Sequence, residues 1–348
     1  MKSLNPFVLD NTDVYSLKSE KANKQYGICI QYPEGYLQRE HQAPLPVVYI
    51  LDAQWHFPTI CAIYGTLHHD NQMPEALIVG ITWQQGNIME LREHDLTPDC
   101  DPDAKFSGGA DAFLDALEFE ILPHIQQNYA TTDKHVLIGS SYGGVFSYYA
   151  CLARPHLFTD YIAFGLGVNW VSPNTKMQKL LNTLDSSSFN SPTRLIVGRG
   201  QWEPAYEIDA FTQQLIELNI PNLQCEFITV EQAGHALVNP QGFTQSLQKI
   251  FHQPAVTLSK AQLSEFCGTY KRCDNEQRLE FYIEDEQLCT QIGFISSWEK
   301  YAKKATLTPI ANNHFHILGW QKTFTFKQNE MILTLYGQPI RFIKQAKT

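Results

Sequence analysis

Long apolar runs, closely spaced cysteine pairs and blocks of positive charge are all missing from this chain of 348 residues. No stretch approaches the roughly 20 consecutive apolar residues of a membrane-spanning helix. Eight cysteines are present (Cys29, Cys61, Cys100, Cys151, Cys225, Cys267, Cys273 and Cys289), but none forms a C-x-x-C pair. In a chain this long that pattern predicts buried, reduced thiols rather than a disulfide framework. Lys and Arg number 26 against 36 Asp and Glu, a net charge of −10 with no long basic run. Nucleic acid and an anionic membrane are therefore excluded as main partners. The N-terminal stretch carries charges throughout and has no signal-peptide core, so the expectation is a soluble, cytoplasmic protein.

What is present is core material. The chain is 43% hydrophobic and 12% aromatic, which excludes a disordered chain. The length predicts about two domains. Up to about residue 253, apolar strand-like runs alternate with helical patterns. KQYGICIQYP, PVVYIL, EALIVGI, KHVLIG, DYIAFG, RLIVG and QCEFITV read as strands. In Gly109–Tyr129, Phe113, Leu114, Leu117, Ile121, Leu122 and Ile125 form one amphipathic stripe, which Pro123 should kink. Strands alternating with helices predict βαβ units and a mostly parallel sheet flanked by helices, an α/β fold. Near Pro254 the helical periodicity largely stops and eight short β-prone pieces follow, from CGTYKR to PIRFI. They predict a small antiparallel β-sheet or barrel. The expected domains are residues 1–254 and 255–348.

The sharpest motif is Gly139-Ser140-Ser141-Tyr142-Gly143. An apolar strand precedes this G-x-S-x-G match and a helical stretch follows it, the context of a nucleophile elbow. There the glycines at −2 and +2 let strand and helix approach, and Ser141 projects at a helix N-terminus, where backbone N–H groups favour negative charge. A serine needs a base at neutral pH, and chain order in such folds is serine, acid, histidine. His235, in QAGHALVNP after the last strand of the domain, fits that order. The acid should follow RLIVG, where Glu203, Glu207 and Asp209 are available. Glu203 is favoured, because Pro204 reads as the first position of the next helix and would carry the other two into it. For the oxyanion, the backbone N–H of Tyr142 is one donor, and that of Gln54, with Ala53 next, is the other.

These residues resemble the esterase branch of the α/β hydrolases, and within it the esterases that cut trilactone siderophores such as enterobactin or salmochelin. The similarity runs from about Gln25 to Gln253. It is carried by VVYILDAQWHF, by RxxDLTP at Arg92–Pro98, by LIGSSYGG and by RPHLFTDYIAF. It implies a serine hydrolase with Ser141 as nucleophile and His235 as base, acting on a small-molecule ester. Two places depart from the pattern. Ala53 stands where a glycine is usual, and Phe164–Trp170 reads FGLGVNW where serines are frequent, with Asn169 and Trp170 retained. The C-terminal β domain resembles small lipocalin-like domains appended to hydrolases.

Other signals read as structural. Asp99–Asp103 begins like a calcium loop but has Ala104 and Ala110 where that loop needs Gly and Glu. His314 and His316 alternate on one strand, and two ligands do not make a zinc site. Arg92 is expected to brace its loop by pairing with Asp95, with an acidic substrate group as the alternative. Trp170 and Trp202 join Arg92 as candidate pocket residues. No metal or organic cofactor is implied, and a homodimer through the β domain is one assembly open to the chain.

Overall fold

The computed structural model describes residues 8–38, 42–166, 170–205, 207–291, 304–335 and 338–346. Two compact units emerge: Met1–Ile63 with Glu75–Ile250, and Tyr64–Pro74 with Phe251–Thr348.

The first unit begins β1 (Thr12–Ser19), β2 (Lys24–Gln31), β3 (Leu45–Ile50), α1 (Ala53–His69), β4 (Leu77–Trp83) and α2 (Ile88–Leu96). It continues through α3 (Ala110–Ala116), α4 (Leu122–Asn128), β5 (Thr131–Ser140), α5 (Tyr142–Ala153), β6 (Asp160–Phe164) and α6 (Lys176–Thr183). It closes with β7 (Thr193–Gly200), α7 (Glu207–Glu217), β8 (Leu223–Val230) and α8 (Val238–Phe251). The sheet order is β1-β2-β4-β3-β5-β6-β7-β8. β2 runs antiparallel to β1 and β4, and every later pairing is parallel. The continuous apolar runs of β3, β4 and β6 are buried almost throughout, as strands covered on both faces must be. The sheet places the C-terminal ends of β3, β5, β6, β7 and β8 on one side, where open α/β sheets bind ligands.

Three local readings differ from expectation. β1 has no apolar alternation and exposes Val14 and Tyr15; its pairing with β2 defines it. The helix expected over Gly109–Tyr129 is α3 and α4 joined by a π-helical turn, Leu117–Ile121. Pro123 lacks the N–H that would bond one turn back, and the wider turn takes up the mismatch. α7 starts at Glu207, not at Pro204.

The second unit opens on α9 (Lys260–Phe266), which the sequence reading missed although Ser259 and Gln262 form a complete capping box. The strands that follow are β9 (Gly268–Arg272), β10 (Arg278–Glu284), β11 (Gln287–Thr290), β12 (Ala305–Ala311), β13 (His314–Ile317), β14 (Trp320–Lys327), β15 (Glu330–Leu335) and β16 (Gln338–Lys344). They close into an antiparallel barrel in which β16 returns to pair with β9. Side chains alternate with the pleat: Phe324 and Phe326 are buried, while Thr323 and Thr325 between them are not. Phe281, Phe315, Phe324, Phe326 and Phe342 fill the interior. The turn after α1 belongs to this unit. The Asn71 amide donates to the Ile317 and Lys322 carbonyls at 3.0 and 3.2 Å and also to that of Trp320, while Gly319 N–H donates to Asp70.

The cysteines are all unpaired. Cys61, Cys151 and Cys289 are buried as expected, but Cys100 and Cys273 are exposed. Among the described residues no helix is long and apolar enough to cross a membrane.

Candidate active site

Ser141 stands at the junction of β5 and α5 with φ 56° and ψ −124°, a conformation that L-residues with a Cβ rarely hold. The turn is this tight because its glycines are packed against each other. A Cβ on Gly139 would run into the Gly143 carbonyl. The Ser141 N–H donates to the Phe164 carbonyl at the end of β6, at 2.9 Å, and Val145 N–H returns to the Ser141 carbonyl. Tyr142 is the first residue of α5, so its own N–H has no acceptor within the helix.

Phe164 leads directly to Gly165, whose φ of 61° and lack of a side chain make room for an imidazole. A Cβ there would stand 3.2 Å from both Cε1 and Nδ1 of His235 and 3.7 Å from Oε1 of Glu203. His235 Nδ1 and Glu203 Oε1 are 2.7 Å apart. Glu203 is only 8% exposed, and its other oxygen accepts the Gly200 N–H at 2.7 Å. The carboxylate is thus held from both sides, and the imidazole proton it accepts lies on Nδ1, which leaves Nε2 as the basic nitrogen. The two loops that carry these residues are laced together. Trp202 N–H donates to the Ala233 carbonyl and Gln201 N–H to that of Val230, each at 2.9 Å, and the Gln201 side chain accepts from Gln232 N–H. Beneath the elbow, the Ser140 hydroxyl donates to the Asn239 amide oxygen at 2.6 Å, joining the end of β5 to the first turn of α8.

The competing acids are placed elsewhere. Asp209 accepts from Arg199 Nε at 2.8 Å, and Glu207 is exposed at the start of α7. Glu203 owes its place to the loop before α7 and not to helix entry at Pro204.

Opposite the elbow, β3 passes into α1 through Asp52, which is fully buried with φ 54°. Ala53 and Gln54 are the first residues of α1, so their N–H groups are free of helical acceptors. The Gln54 side chain accepts from Thr82 Oγ1 at 2.7 Å and donates to Asp52 Oδ1 at 3.3 Å, which leaves its backbone N–H as the available donor. Ala53 fits because the facing position is Gly80, where a Cβ would meet the Ala53 methyl at 2.8 Å. Arg92 does not pair with Asp95. Its Nε and one terminal nitrogen grip both oxygens of Asp52, at 2.8 and 2.7 Å. Asp95 is instead surrounded by Lys24, His94, Tyr26 and Trp83. Burial pushes that carboxyl up, and the hydrogen bonds from His94, Lys24 and Trp83, with the Lys24 charge, hold it below its ordinary value. Sequence proximity favoured the pairing three residues away; the tertiary fold chose one 40 residues back.

The aromatic candidates divide. Trp170 is buried and stands edge-on to Tyr142, with ring centroids 6.1 Å apart. Trp202 is 69% exposed beside Gly234. Asn169 lies outside the described residues. The Asp99 carboxylate accepts the Lys176 N–H, and Asp101 accepts from Asp103 N–H within its own turn. His314 Nδ1 is 2.7 Å from the Thr325 hydroxyl, and burial lowers the pKa of His314 and of His316.

The family model described as "Putative esterase" matches residues 19–217. The chain is similar to the ferri-bacillibactin esterase BesA of Bacillus subtilis, 25% identical over 276 residues that cover 73% of this chain and 94% of that protein. It is also similar to the siderophore triacetylfusarinine C esterase of Aspergillus fumigatus, 28% identical over 207 residues, 57% of this chain and 70% of that one. Among solved structures, an IroE-like serine hydrolase from Shewanella oneidensis superposes with a TM-score of 0.61 at 25% identity, covering 73% of this chain and 84% of its own.

Proposed function

The chain belongs to the esterase family and is an ester hydrolase, and from that premise we propose that it is a serine esterase working through an acyl-enzyme on Ser141. The observation that carries the reading is the continuous set of contacts from elbow to acid. Ser141 N–H is bonded to Phe164, Gly165 abuts the His235 ring, and His235 is held by a buried Glu203. His235 Nε2 takes the proton of Ser141 as the hydroxyl attacks the ester carbonyl. Glu203 keeps the imidazole in that tautomer and stabilises the imidazolium. The N–H groups of Tyr142 and Gln54 receive the oxyanion. The imidazolium returns its proton to the leaving alcohol, and a water activated by His235 releases the acid.

The substrate class we propose is a siderophore-type ester, supported by what the Bacillus and Aspergillus relatives are named for cutting. Trp170 and the exposed Trp202 flank the proposed centre and are assigned to its pocket. Arg92 has its Nε and one terminal nitrogen committed to Asp52, which supports a bracing role over a direct contact with substrate.

The test is covalent labelling with a fluorophosphonate, read by intact mass and peptide mapping. A single adduct on Ser141, absent from Ser141→Ala, is expected, with ester turnover lost in that variant. No adduct on the folded wild-type protein would overturn the mechanism and favour a silent scaffold that binds without cutting. Turnover of a thioester or peptide panel in preference to esters would keep the nucleophile and replace the substrate class.

A further inference from the structure

We infer that the buried Arg92–Asp52 pair positions the oxyanion hole, so that Arg92 is a positioning residue whose loss slows the chemical step. The inference rests on the serine-esterase reading above. The two proposed donors come from segments far apart in the chain, the β3–α1 junction and the start of α5. Nothing in either segment alone fixes the distance between the Gln54 and Tyr142 N–H groups. Arg92, on α2, touches both. Its Nε and one terminal nitrogen hold both oxygens of Asp52, two residues before Gln54, at 2.8 and 2.7 Å. The guanidinium carbon lies over the Tyr142 ring, 5.0 Å from its centroid, and over that of Trp55 at 5.2 Å. One planar cation therefore joins the two donor-bearing turns.

The backbone says why such a joint is needed. Asp52 holds a left-handed φ of 54° at a strand-to-helix junction, and Ser141 across from it holds 56°. Non-glycine residues keep such conformations only where their surroundings over-determine them. For Asp52 those surroundings are the fork from Arg92, the Gln54 amide and the packing of its Oδ2 against Gly143, where an added Cβ would come within 3.4 Å. Released, Asp52 can relax to ordinary φ, and the first turn of α1 turns with it. Oxyanion donors act over a few tenths of an ångström, and a misplacement of about 1 Å costs roughly 10²-fold in rate. Lysine should not replace Arg92, because an ammonium cannot fork onto both oxygens of Asp52 while also reaching the Tyr142 and Trp55 rings.

The experiment compares Arg92→Ala, Arg92→Lys and the double variant Arg92→Leu/Asp52→Asn with wild type. The double variant removes both buried charges together and so keeps the test open if a lone unpaired Asp52 unfolds the protein. In folded double variant, kcat is expected to fall about 10²-fold with KM within about threefold. Labelling of Ser141 by the fluorophosphonate should slow in step, because the phosphonyl oxygen occupies the same hole. The acid limb of the kcat/KM profile should coincide with that of wild type. Arg92→Lys should behave like Arg92→Ala, and methylguanidinium should recover part of the rate in Arg92→Ala. A folded double variant that keeps kcat within threefold, a fall carried by KM alone, or a displaced acid limb would overturn the inference. Failure of wild type to label at Ser141 would instead remove the reading beneath it, so the two failures are separable.

Discussion

Both units of this protein hold left-handed residues at turns, and the hydrolase unit adds two of another kind. In the barrel, left-handed residues sit at hairpin tips, Asp285 and Glu286 between β10 and β11, Gln328 between β14 and β15, and Gly319 between β13 and β14. A tight hairpin demands such angles, and they are satisfied at exposed positions. The hydrolase unit has turn residues of the same kind, such as Asn23 between β1 and β2 and Asn222 before β8, but Asp52 and Ser141 hold a positive φ at strand-to-helix junctions, where no hairpin requires it. One of them is fully buried with a charge. Interiors differ in the same sense. Aromatic rings close the barrel's core, whereas the hydrolase unit surrounds its elbow with Asp52, Arg92, Glu203 and Asn239, all buried and all hydrogen-bonded. Strain and buried polarity together mark a working site; strain alone marks a turn.

That contrast predicts which changes touch chemistry and which touch only stability. Glu203→Gln should lower kcat by about 10²- to 10⁴-fold with little change in melting temperature, while Asp209→Ala, which frees Arg199, should cost far less. A larger loss in Asp209→Ala would move the acid and break the contrast at its centre. In the barrel, Phe281→Ala should destabilise by about 3–5 kcal/mol, measured by denaturant unfolding, and leave kcat per folded molecule unchanged. A fall in kcat there would give the barrel a part in catalysis.

The smallest effect concerns Lys322, the one lysine buried in the barrel among the described residues. Burial lowers Lys322 to about 8, and its ammonium lies 4.3 Å from the Trp320 ring centroid. Its folded pKa lies below its unfolded value of 10.5, so the unfolded chain binds more protons in between and stability rises with pH across that window. Lys322→Met removes this dependence. The stability advantage of the variant should be full below about pH 8 and shrink as the pH climbs, seen in thermal melts of the two proteins at matched pH. A constant difference would show that the lysine titrates normally.

Much of this was legible in sequence because the signals were local. The seven strands read before residue 250 and the eight read after Leu258 all have counterparts in β2 to β16. The elbow was visible because glycine spacing, strand and helix are contiguous. What escaped depended on distant partners. β1 is a strand only because β2 lies beside it, and Arg92 chose Asp52 over Asp95 because the sheet brings the end of β3 under α2. Glu203 was named on a wrong premise, since Pro204 starts no helix; its placement rests on the Gly200 and His235 contacts instead. The capping box at Ser259 and Gln262 is a local signal, but it borders a stretch whose β rhythm dominates the pattern.

The turn after α1 has a consequence for the order of events during synthesis. Residues 64–74 are made early, yet the Asn71 amide bonds to a carbonyl 246 residues later, at Ile317. The barrel that supplies it cannot close until β16 reaches β9. While the rest of the hydrolase sheet is being translated, that helix end waits with its donors facing water or a chaperone. It can acquire these hydrogen bonds only after β13 and β14, which carry the acceptors, have emerged. Nascent chains stalled before β13 should therefore be cut by protease within residues 64–74 long after the sheet around Ser141 has become resistant.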